Sequence, residues 1–189
     1  MLIATTVFAA ENPCVVPHMG YFRIHAGATG LFGAFAHDHL IEAQKGIGCA
    51  MIDSKDSSHS SIKLDFPAAS IQVMMDPKAS AKDRTEIQKT MQTAVLRTSE
   101  FPRETFESTV IERTDDFGHL RVHGNLTIRG KTQTIVIAVR LTRLVDGTYR
   151  AAGEYKFNQT SFGIEPIQFA GGTIKVNDEL QVEFELFLH

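Results

Sequence analysis

The chain has 189 residues, 43% of them hydrophobic and 22% charged, which is enough for one self-sufficient hydrophobic core. A formal net charge of −3 gives no overall basic field for nucleic acid or anionic headgroups, and no run of roughly 18 apolar residues could cross a bilayer as a helix. Trp is absent while Phe numbers 13, so the aromatic apolar mass lies almost entirely in Phe.

Met1 to Ala10 is uncharged and mostly apolar, and ends in Val7-Phe8-Ala9-Ala10. It loosely resembles a signal-peptide cleavage region but lacks the usual basic start. Residues 1–17 are therefore expected to be an N-terminal tail or a remnant export signal, and residues 18–189 one domain. Cys14 and Cys49 allow one disulfide, which would suit an oxidising compartment, or two unpaired thiols. No C-x-x-C is present, so a thioredoxin-like or zinc-ribbon site has no support.

From there the chain alternates. Ile62, Leu64 and Phe66 face one way; Lys63 and Asp65 face the other. Between Ser80 and Arg97 the period changes. Ile87, Met91, Ala94 and Val95 form a helical stripe, and Ser80 with Asp83 three residues on makes a capping box. A helix of about four turns is predicted, ended before Pro102.

Period two then resumes. Leu120, Val122, Gly124, Leu126 and Ile128 share a face opposite His119, Arg121, His123, Asn125, Thr127 and Arg129. Ile135, Ile137, Val139 and Leu141 follow, then Tyr149, Ala151, Gly153, Tyr155 and Phe157, then Leu180, Val182, Phe184, Leu186 and Leu188. Asp116-Phe117-Gly118, Arg129-Gly130-Lys131 and Asp146-Gly147 punctuate these runs as tight turns, and Asn177-Asp178 marks a turn or bulge. Successive strands with tight turns imply an up-and-down meander. The predicted fold is all-β: an eight-stranded antiparallel lipocalin-like barrel with one helix between the middle strands. Closure removes the edges that such a sheet would otherwise expose. An alternating apolar face suits a solid core as well as a ligand-lined wall, so pattern alone leaves the interior open.

The histidines offer a rival reading. His37 and His39 are two apart and would project from one face of a strand; with His25 they could supply three imidazoles to a metal. His119 and His123 also share a face, but four strand residues span roughly 13 Å, too far for one ion. No H-E-x-x-H, G-x-S-x-G, Walker or G-x-G-x-x-G pattern occurs, so no catalytic residue is nominated and no enzyme activity is expected.

Four segments in order resemble the YceI-like family. They are Gly30-Leu31-Phe32-Gly33-Ala34-Phe35-Ala36-His37-Asp38-His39; the run from Arg84 through Phe101-Pro102 to Phe106-Glu107-Ser108; Val122 to Thr132 around Gly124-Asn125-Leu126-Thr127, where Asn125 replaces the more usual Asp; and Thr160-Ser161-Phe162-Gly163-Ile164. The resemblance covers about residues 20–188. It implies a lipocalin-like barrel whose interior holds a polyisoprenoid or similar lipid, usually in a bacterial periplasm.

On that resemblance the expected ligand-lining residues are Phe22, Ile24, Phe32, Leu64, Phe66, Phe106, Leu126, Ile128, Ile137, Val139, Phe157 and Phe184. Headgroup contacts would come from Arg23, Asp38, Arg129 or Asn158. The expected role is non-catalytic binding, transport or storage of a long-chain lipid, with no cofactor beyond the bound isoprenoid, no nucleic-acid partner and no membrane span. The expected location is periplasmic or secreted, with the cytoplasm as the alternative. Alternative roles are a metal-binding or redox-associated periplasmic protein using His37 and His39, and a protein-interaction module in which Val136, Ala138 and Phe187 on the outer face form a homodimer patch.

Overall fold

The computed structural model describes residues 17–30, 39–53, 55–74, 80–115, 118–169 and 174–188. The strands are β1 (Pro17–Ala26), β2 (Ala28–Gly30), β3 (His39–Ala43), β4 (Ile47–Met51), β5 (Ser61–Pro67), β6 (Ile71–Val73), β7 (Arg103–Arg113), β8 (His119–Ile128), β9 (Lys131–Arg143), β10 (Tyr149–Asn158), β11 (Gln168–Phe169), β12 (Ile174–Val176) and β13 (Glu179–Leu188). The main sheet runs β4-β5-β7-β8-β9-β10-β13-β1-β3-β6, every described pairing being antiparallel. It curls into a half-barrel with one helix. A small sheet, β11-β12-β2, stands beside it.

Among the described residues the main sheet thus has ten strands, not the predicted eight, and the small sheet was not foreseen. The physical reason lies in two facing kinks. Residues 44–46 join β3 to β4, and the helical turn Ala68–Ser70 joins β5 to β6. Four residue steps separate Ala43 from Ile47, while six separate their partners Ile71 and Asp65. The second chain therefore carries two extra residues, and they must loop out of the ladder. The Gln44 N–H donates to the Ser70 carbonyl at 3.0 Å across the break, and the Ser70 hydroxyl donates to the Pro67 carbonyl at 2.7 Å within it. The pairs β3–β6 and β4–β5 are consequently the two halves of one kinked hairpin, which brings the sheet round on itself.

Local chemistry explains the other joints. Arg129 and Gly130 form the two-residue β8–β9 turn with φ of 51° and 70°, the primed turn that matches strand twist. Ser108 sits where the β7–β8 register shifts, and its hydroxyl accepts the Ile62 N–H at 2.8 Å, so the bulge stays bonded to its neighbour β5.

The predicted helix is present as α1 (Ala81–Thr90), which continues in a wider turn over Met91–Val95. Ser80 and Asp83 form the expected reciprocal cap. Of the predicted stripe, Ala94 is exposed and Met91 buried. Gln88 docks the helix onto the edge of β6: its side chain accepts from Val73 N–H at 2.7 Å and donates to the Ile71 carbonyl at 3.0 Å. A primary amide therefore completes an edge that has no further strand partner among the described residues.

The glycines in inward registers accommodate rings. A Cβ on Gly124 would lie 2.5 Å from the Phe106 ring and 2.7 Å from the Glu107 carbonyl oxygen, and one on Gly153 would lie 2.6 Å from the Ala138 carbonyl oxygen. Gly124→Ala is expected to destabilise the protein by about 1–3 kcal/mol in urea unfolding, as overpacking does. An unchanged midpoint would show that the Phe106 ring moves aside freely.

Candidate ligand cavity

The inward faces of the curled sheet enclose a cavity of about 540 Å³, within the range of roughly 300–1,000 Å³ for small-molecule sites. All ten strands of the main sheet contribute walls, and Ile87, Met91 and Leu96 from the helical segment close one side.

Of the twelve residues nominated from sequence, Phe22, Ile24, Leu64, Phe66, Phe106, Leu126, Ile128, Ile137, Val139, Phe157 and Phe184 all line this cavity. Phe32 lies outside the described residues. The Phe22 ring reaches inward between Phe66 (centroids 4.7 Å apart) and Phe184 (5.7 Å). Phe22 and Phe66 stand on strands that are not neighbours in the sheet, so this contact crosses the interior and narrows it.

The nominated headgroup residues are not brought together. Arg23 faces outward, where it pairs with Glu42 at 3.3 Å and Glu183 at 3.7 Å. Asn158 is exposed at the end of β10. The Arg129 guanidinium reaches the Gly163 carbonyl at 3.4 Å. Asp38 lies outside the described residues, as do His37, Asp116 and Phe117. His39 opens β3 and lines the cavity, while His25 contacts Glu183 at 3.2 Å. His119 pairs with Asp115 and His123 with Glu112, separately. Among the described residues no three His, Cys, Asp or Glu side chains cluster as metal ligands, and no helix is long and apolar enough to cross a membrane. Cys49 is disulfide-bonded; Cys14, the other cysteine of the chain, lies outside the described residues. On the outer face Val136 is exposed.

Two polar groups of the cavity wall escaped the sequence reading. Gln159 is buried, and its side chain donates to the Asn177 carbonyl at 2.8 Å, tying the end of β10 to the start of β13. Glu104 is 6% exposed, opposite Phe66 on β5. Its Oε2 accepts the Arg129 N–H at 2.8 Å, while Oε1 has no hydrogen-bond partner among the described residues. Burial pushes the carboxyl up from its ordinary 4.5 to about 7, against the lowering pull of the Arg129 N–H. The available signal was register: Glu104 stands two residues before Phe106, hence on the same inward face. At the other end of the strands, Arg113 and Arg143 line the cavity with Ser57 and Asp53.

Solved structures with this fold include BcnA of Burkholderia cenocepacia, 17% identical, covering 89% of this chain and 96% of that one with a TM-score of 0.68. A Campylobacter jejuni YceI protein is 15% identical over 78% of this chain and 82% of its own, with a TM-score of 0.58. A polyisoprenoid binding domain from Saccharophagus degradans, implicated in plant cell wall breakdown, is 12% identical over 93% and 98%, with a TM-score of 0.63. No curated protein sequence matches the chain. The family profile described as the YceI-like domain matches residues 14–188, which span the whole curled sheet and its helix, and the chain therefore belongs to the YceI-like family.

Proposed function

We propose that this protein binds a polyisoprenoid or similar long-chain apolar lipid inside the curled sheet and stores or carries it without covalent chemistry. The observation that carries this reading is the continuous apolar lining from Phe157 and Ile164 at one end to Leu141 and Leu188 at the other. A prenyl tail has no charge along its length, so its affinity must come from apolar area removed from water, about 25 cal/mol per Å². An enclosed channel supplies that area. The polyisoprenoid binding domain of Saccharophagus degradans has the same fold. The disulfide at Cys49 suits an oxidising compartment and supports a periplasmic location.

The test is native mass spectrometry of the freshly purified protein, followed by organic extraction of whatever is released. The expected result is a retained mass that matches a prenyl chain, or its uptake when prenyl lipid is added. A clean unliganded mass with no uptake would overturn the reading.

A further inference from the structure

We infer that the lipid held in the cavity carries a terminal hydroxyl and that Glu104 receives it. The inference rests on the storage reading above and names the chemistry of one end of the ligand.

Glu104 is a carboxyl in a mainly apolar wall that it shares with Phe66, Phe106, Leu126 and Ile128. A structural role accounts for half of it. Oε2 takes the Arg129 N–H, which holds a turn residue at φ 51°, a backbone region that non-glycine residues rarely enter. Oε1 is left over, and a buried polar atom of this kind needs a partner. Of the polar groups in the same wall, Gln159 already spends its amide N–H on the Asn177 carbonyl, and none of the described residues bonds Oε1. The position is open to whatever fills the cavity: water when it is empty, and the polar end of the lipid when it is loaded.

The group must suit both forms of the carboxyl. An ionised Glu104 only accepts; a protonated one also donates. An alcohol answers both, because it donates and accepts. An ether only accepts, and a phosphate brings negative charge towards a carboxylate. Arg113 and Arg143, the cavity's guanidinium groups, lie at the opposite strand ends and give a phosphate a different place to go.

Farnesol, farnesyl methyl ether and farnesyl phosphate are offered together to delipidated protein at pH 8, and the adducts are read by native mass spectrometry. Farnesol is expected to exceed the ether by about tenfold, the value of one hydrogen bond to a charged acceptor. Glu104→Gln turns the free position into a donor while an oxygen remains for Arg129, so it should accept farnesol and the ether equally. Glu104→Leu should likewise remove the preference. Equal binding of alcohol and ether to the unmodified protein, or a preference that survives both substitutions, overturns the inference and leaves storage intact. Dominant binding of the phosphate overturns it in favour of the arginine end. Binding of none of the three overturns the storage reading itself.

Discussion

Glu104→Gln should leave stability unchanged near pH 4.5 and raise it by about 3 kcal/mol at pH 8. The folded carboxyl keeps its proton up to about pH 7, whereas the ordinary value is 4.5. Between those values the folded state binds more protons than the unfolded chain. The stabilisation is fully present below 4.5 and is lost as pH rises through 7. An amide does not titrate, yet it preserves an acceptor for Arg129. Urea unfolding of both proteins at four pH values separates the outcomes: curves that diverge from pH 5 upward support an ionisation held back by the cavity wall, and parallel curves would mean that Glu104 is solvated. Asp53, Asp56 and Asp178 are held below the usual carboxylate range, chiefly by backbone and side-chain hydrogen bonds from neighbouring loop residues. Their contributions fade only in stronger acid, as pH falls through their lowered values, so they do not overlap this window.

The amino-acid pattern carried most of the wall and little of its ends. Period two places Leu120, Val122, Leu126 and Ile128 on one face because side chains alternate along any strand, and burial then follows from hydropathy. The same rule located β9, β10 and β13, and Ser80 with Asp83 located the helix start. It failed where the ladder is interrupted. The turn at Ala68–Ser70 shifts register through backbone geometry and one serine hydroxyl, features with no hydropathy signature. β11 and β12 are two and three residues long, too short for alternation to show. Glu104 was passed over for a different reason. A carboxyl reads as a solvent-facing residue, and only its register with Phe106 says otherwise.

The most consequential change to the cavity itself is Leu126→Glu, which should reduce prenyl-lipid retention by more than about a hundredfold. Leu126 faces inward on β8 opposite Phe106 and Gln133, and it is only half-buried. The new carboxylate can therefore keep some water when the cavity is empty, so the sheet is expected to survive the substitution. A lipid tail entering beside it would strip that water away, and among the described residues no Lys or Arg of the wall is placed to compensate: Arg113 and Arg143 lie at the far strand ends. The desolvation cost then falls on the liganded state and shows as lost affinity rather than lost fold. A hydrocarbon probe such as squalene isolates this effect, because it makes no use of Glu104. Circular dichroism with native mass spectrometry gives the answer: a folded Leu126→Glu protein that still retains prenyl lipid would place the ligand elsewhere than the interior of the sheet. Lowering the pH to 5 should restore part of the binding, since a protonated side chain at 126 is cheaper to bury than a charged one. Recovery on acidification would identify charge, rather than shape, as the reason the lipid was excluded.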